Sequence, residues 1–127
     1  MTDVSTYILV VEDEQQMQKF LRMSLVAEGY RVVAAADGEE GIQRVTEERP
    51  DLVICDILMP RVDGFGVLAA LRSRPETATI PFIFLTASAD KDDLARGLKS
   101  GANEYVTKPF KIAGLMAAVR RLLPPAA

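Results

Sequence analysis

The sequence predicts an α/β domain of the doubly wound, three-layer kind. Three observations predict it. Strand-like and helix-like segments alternate along the chain, five of each. The runs ILVV, LVIC and FIFL are apolar throughout instead of alternating, as parallel strands covered on both faces must be. Right-handed crossovers then place helices on both sides of one sheet. Finally, 127 residues, of which 49% are apolar, suit one domain with a full core.

Tyr7 to Val11 reads as the first strand. Met17, Phe20, Leu21 and Leu25 recur at spacings of three and four, one face of a helix. Gly29 suits the left-handed residue after its end. Arg31 to Ala35 is a short second strand. Asp37 can cap a helix that turns Ile42 and Val45 inward, with Pro50 just beyond it. Asp51 to Cys55 holds the third strand. The stretch DILMPRVDG, residues 56–64, reads as a loop. Val67, Leu68 and Leu71 mark the third helix, stopped by Pro75. Pro81 introduces the fourth strand, FIFL. Asp90 can cap a fourth helix with Leu94 and Leu98 inside, and Gly101 again suits its C-terminal turn. Glu104 to Val106 is a short fifth strand. Ile112, Leu115, Met116, Val119, Leu122 and Leu123 form the clearest helical stripe. The core is expected over about 6–123, with 124–127 a tail or a cut linker.

Composition narrows the chemistry. The net charge of −3 argues against a nucleic-acid surface, which needs a basic patch. No window approaches the ~18 apolar residues of a membrane span. The start, MTDVSTY, lacks the regions of a signal peptide, so a cytoplasmic protein is expected. The single cysteine, Cys55, lies in an apolar run and reads as a small core residue. Histidine is absent, which removes most zinc sites and the hydrolase triads.

In such a sheet, ligands bind beyond the carboxyl ends of the strands. Glu12 and Asp13 follow the first strand, Asp56 the third, Thr86 the fourth and Lys108 the fifth. Each has an ordinary reading alone. Asp13 would serve equally well as a helix cap, Glu12 as a loop acid, Asp56 as a turn former. Thr86 could be a plain strand end, Lys108 a surface lysine and Tyr105 a packing residue. Their joint placement is harder to reach by accident. If the inner strands are adjacent, three carboxylates crowd together. At ~4 Å and an effective dielectric near 20, each like-charge pair costs on the order of 4 kcal/mol. A raised pKa relieves this, and so does a hard divalent cation. A cation, a lysine and a hydroxyl around one carboxylate also cradle a phosphoryl group, and a carboxylate can be the nucleophile.

These residues carry a family resemblance. VVEDE, DILMPRVDG, FLTA and KSGANEYVTKPF together resemble the receiver domains of bacterial two-component response regulators, the CheY-like proteins, over essentially the whole chain, 1–127. The resemblance implies a flavodoxin-like (βα)5 sandwich with a five-stranded parallel sheet in the order 2-1-3-4-5. It implies Asp56 as phosphoacceptor. Mg2+, for which Mn2+ could substitute, would be held by Asp13 directly, Glu12 through water, Asp56 and the Leu58 carbonyl. Thr86, the Ala87 N–H and Lys108 would hold phosphoryl oxygens, with a cis bond at Pro109. Thr86 and Tyr105 would form the switch. The implied partners are a sensor histidine kinase or histidine phosphotransfer protein, and a downstream target or a fused output domain. A phosphorylation-dependent homodimer is compatible with it; direct binding to nucleic acid or membrane is not expected. Such a domain catalyses its own phosphorylation and dephosphorylation and is not otherwise an enzyme. Leu58 and Ser88 stand where the family tunes dephosphorylation. Leu58 cannot orient a water and Ser88 could do so only weakly, so the phosphoryl lifetime is not expected to be especially short.

Three other readings compete. A phosphatase of the haloacid-dehalogenase type resembles its relatives in a second carboxylate two residues after the nucleophile, where this chain has Leu58. A flavodoxin-like cofactor carrier needs a Gly- or Ser/Thr-rich loop where this chain has EDEQQMQ. A pseudo-receiver, binding partners without phosphorylation, would not need the full acidic set.

Overall fold

A computed structural model describes residues 6–87 and 90–123 of the chain. The expectations for the first residues, for Ser88 and for 124–127 fall outside the described residues. The elements alternate as β1 (Tyr7–Val11), α1 (Gln15–Ala27), β2 (Arg31–Ala35), α2 (Gly38–Glu47), β3 (Leu52–Cys55), α3 (Gly64–Arg72), β4 (Phe82–Thr86), α4 (Lys91–Lys99), β5 (Glu104–Thr107) and α5 (Ile112–Leu122). The strands form one parallel sheet in the order β2-β1-β3-β4-β5.

Side-chain alternation splits the core into two layers. Leu9, Val11, Val53, Cys55, Phe82 and Phe84 face α2 and α3. Ile8, Val10, Ile54, Ile83 and Leu85 face α1 and α5. Both faces of β1, β3 and β4 are therefore buried, which is why their sequences do not alternate.

Local signals act where the sequence places them. Asp37 and Asp63 cap α2 and α3 by accepting from the N–H groups of Glu40 and Gly66. Asp90 caps α4 through Asp92 N–H. Gly29 and Gly101 take positive φ, 96° and 106°. Asp51 lies just before β3, not in it, and its carboxylate accepts from Tyr7 N–H at 2.8 Å.

Two helix faces differ from expectation. Phe20 is 48% exposed, its ring 6.3 Å from that of Phe110. Leu21 and Leu25 fill the space under α1, leaving Phe20 at the rim. Leu94 and Leu98 are also exposed, and Gly97 is the one buried residue of α4. The helix turns its glycine to the sheet because the Phe84 and Tyr105 rings already occupy that volume.

Candidate functional site

The sheet register assembles the site. Val11 of β1 pairs with Cys55 of β3, so the two strands end side by side. Asp56 N–H then donates to the Val11 carbonyl at 3.0 Å, and Glu12 N–H to the Ala35 carbonyl at 3.0 Å. The ladder thus runs one residue past each strand and fixes both acids by their backbones. On the other side Lys108 N–H donates to the Thr86 carbonyl at 2.8 Å.

Glu12 and Asp56 are buried, while Asp13 is exposed. One oxygen from each of the three lies within 4.8 Å of the others. Lys108 Nζ donates to Glu12 Oε1 at 2.8 Å and to Asp56 Oδ2 at 3.2 Å. The second oxygen of each buried acid is also held. Glu12 Oε2 accepts from Glu14 N–H at 3.1 Å, and Asp56 Oδ1 from Leu58 N–H at 3.2 Å. Asp13 does not cap α1: the capping position is Glu14, with no side-chain cap. Thr86 is fully buried at the end of β4, Ala87 follows it at the exposed mouth, and the Lys108–Pro109 peptide bond is cis. The Tyr105 ring packs edge-on against Phe84, with centroids 6.0 Å apart.

The electrostatics follow from burial. Loss of solvent raises the Glu12 pKa, and this outweighs the opposing hydrogen bond from Lys108. Burial also presses the Lys108 pKa down, but the hydrogen bond to Glu12 and the charge of Asp56 more than reverse it, so Lys108 is held as a cation. One ammonium serves two carboxylates, and the third stands in solvent. Such an all-oxygen donor set fits a hard divalent ion. It offers no thiolate or imidazole for a softer one.

Sequence reasoning missed three supports. Gln18 Nε2 donates to the carbonyls of Glu12 and Ala35 at 3.0 and 3.2 Å, bracing the first acidic turn from α1. Gly64 was legible only as part of a turn. A Cβ there would lie 2.8 Å from Ile57 Cα and closer still to the Asp56 carbonyl oxygen. Its N–H also donates to the Ile57 carbonyl at 2.9 Å, so the loop after Asp56 closes directly onto α3. Arg61 takes a left-handed backbone, φ 67°, and its guanidinium reaches the capping Asp37 at 2.9 Å. No spacing rule signals this contact across the site's rim.

The chain has relatives among known proteins. The family model described as the response regulator receiver domain matches residues 8–120. The phosphate regulon transcriptional regulatory protein PhoB of Rhizobium meliloti is 44% identical over 91% of this chain, and the match covers 51% of that protein. The response regulator ArlR of Staphylococcus aureus is 37% identical over 93% of this chain and 52% of its own length. The chain thus spans about half the length of these curated relatives. Among solved structures, a putative response regulator from Chloroflexus aurantiacus superposes with a TM-score of 0.89 at 35% identity, covering 94% of this chain and 98% of that one. The receiver domain of the sensor histidine kinase PA1611 from Pseudomonas aeruginosa, which has a magnesium ion coordinated in its active-site cleft, gives 0.86 at 33% identity, covering 94% and 98%. This chain belongs to the response regulator receiver domain family.

Proposed function

We propose that this chain accepts a phosphoryl group on Asp56 from a phosphohistidine donor and passes the change to a protein partner. One observation carries the reading: Asp56 shares a cluster with Glu12 and Asp13 while Lys108 bridges it to Glu12.

An Asp56 carboxylate oxygen attacks phosphorus in line. The new O–P bond forms as the P–N bond breaks, and the leaving imidazole keeps the electron pair and takes a proton from solvent. No general base is required, because a carboxylate nucleophile has no proton to remove. Asp13, Glu12, Asp56 and the Leu58 carbonyl would hold Mg2+, whose charge offsets that of the phosphoryl oxygens. Lys108 releases a carboxylate and pairs with one phosphoryl oxygen. Thr86 and the Ala87 N–H serve the others. The leucine at position 58 is 60% exposed beside the acceptor and cannot orient a hydrolytic water. The acyl phosphate should therefore outlast a few seconds.

The phosphoryl group adds about two negative charges. Their pull on Thr86 and Lys108 acts at the ends of β4 and β5. It should shift an existing equilibrium on the face made by α4, β5 and α5, with Tyr105 turning as Thr86 moves. That face would address a target protein, an output domain of a longer chain, or a second copy. Among the described residues no helix is long and apolar enough to cross a membrane. We place the protein in the cytoplasm, with a sensor kinase or phosphotransfer protein as its donor.

The test is transfer from a phosphotransfer protein carrying labelled phosphohistidine. Label should move to this chain with Mg2+ and stay on the donor with EDTA. Label that never moves, from several donors and from acetyl phosphate, would favour a module that binds partners without phosphorylation.

A further inference from the structure

The attachment of α4 is unusual. Its one buried residue is Gly97, and Leu94 and Leu98 are 38% and 49% exposed. A helix normally docks through large apolar side chains. This one rests on aromatic rings belonging to other elements. A Cβ on Gly97 would lie 3.0 Å from the Phe84 ring and 3.4 Å from that of Tyr105. The neighbouring Arg96 places its guanidinium carbon 4.1 Å from the centre of the Phe65 ring, well within cation–π range. Phe65 is buried at the start of α3 and meets Phe84 edge-on at 5.3 Å. Phe84 meets Tyr105 at 6.0 Å. The rings of Phe65, Phe84 and Tyr105 thus form a row, with Arg96 over one end and Gly97 against the other two.

The row begins at the acceptor. Gly64, directly before Phe65, is packed on the Asp56 carbonyl and the Ile57 backbone, where there is no room for a Cβ. Gly64 N–H also donates to the Ile57 carbonyl, so Phe65 is joined to the loop after Asp56 by one packed, hydrogen-bonded backbone contact. The far end of α4 is fixed independently: Arg72 donates to the carbonyls of Ile80 and Gly101 at 2.8 Å each. The helix is pinned by its C-terminal turn and seated by the ring row.

We propose that the Arg96–Phe65 contact is a latch that holds α4 in the unphosphorylated packing and couples it to the acceptor loop. The proposal rests on the receiver reading for its trigger, but not for its existence. Arg96 is on the surface, so its replacement should not unfold the protein. Loss of the latch removes an interaction present in one state of the helix and raises the population of the other.

The experiment is amide hydrogen exchange across residues 91–99 in the full chain without phosphodonor. Wild type, Arg96→Gln, Arg96→Lys, Phe65→Leu and the Arg96→Gln/Phe65→Leu double variant are compared. A surface cation–π contact corresponds to about a two- to fivefold change in an opening equilibrium. Exchange in α4 should rise by that factor in Arg96→Gln. Phe65→Leu, which also loses core packing, should rise by at least as much, and the double variant no further than Phe65→Leu. Arg96→Lys, which keeps a cation, should return part of the protection. Acetyl phosphate with Mg2+ should label Arg96→Gln faster than wild type by a similar factor. Unchanged α4 exchange in Arg96→Gln, or effects that multiply in the double variant, would overturn the latch. A wild type that takes no phosphoryl group would instead overturn the receiver reading, and the exchange comparison would still decide the latch.

Discussion

Lys108 Nζ stands 2.8 Å from Glu12 Oε1, joining the end of β5 to the end of β1 across 96 residues of sequence. The same ammonium reaches Asp56, so one cation is divided between two buried acids. The folded pKa of Glu12 is raised by burial, so its stabilising contribution is complete below the ordinary value of 4.5 and is lost as pH rises through the higher folded value. Glu12→Gln, which mimics the protonated acid, should raise the melting temperature at pH 7 in EDTA. The gain should shrink as pH falls toward 4. The same variant should need more Mg2+ for phosphorylation. Thermal melts across pH check the first part; an equal or lower melting temperature at pH 7 would contradict it.

Gly64 has no spare volume toward the backbone of Asp56 and Ile57. Gly64→Ala should destabilise the domain by roughly 1–3 kcal/mol, the usual cost of overpacking a closed site. In a domain of this size that is a fall of several degrees in melting temperature. Loading from acetyl phosphate should slow as well, because the Leu58 N–H contact to Asp56 is displaced. Gly66→Ala is the control. Its Cβ would meet a Val62 methyl at 2.9 Å and Asp63 Oδ1 at 3.6 Å, both side-chain atoms, so a smaller loss is expected.

Asp37 tests the rim. Its carboxyl is held below its ordinary pKa by the Glu40 N–H it accepts, and further by Arg61. A depressed acid stabilises the fold above its unfolded pKa and loses that effect as pH falls through the folded value. Asp37→Ala should therefore melt below wild type at pH 7, with the gap closing below about pH 4. Asp37→Asn, which still caps, should recover most of the loss at pH 7.

Cys55 neighbours Asp56 but is fully buried, and burial pushes its thiol pKa well up. A thiol reagent at pH 8 should modify it more than ~100-fold more slowly in the native protein than in denaturant. Rapid native labelling would mean that β3 is not the central strand described above.

The sequence was most legible where one signal had one cause. Unbroken apolar runs marked β1, β3 and β4 because both faces are covered. Single Asp and Gly residues marked caps and turns because few other residues fit them. Glu12, Asp13, Asp56 and Lys108 could be set at one sheet edge because parallel strands share a carboxyl end. What escaped depended on which way a helix rolls. Leu94 and Leu98 have inward spacing, yet α4 presents Gly97, a choice set by Phe84 and Tyr105 on other strands. Gln18, Arg72 and Arg61 act through contacts to distant backbone or to a capping acid, which periodicity does not record.

Asp56 is proposed above all as a metal-dependent phosphoacceptor. Intact mass after incubation with acetyl phosphate and Mg2+ tests this most directly, with Asp56→Asn and EDTA beside the wild type. The wild type should gain one phosphoryl group, and neither control should gain any. A gain that persists in Asp56→Asn would contradict this role.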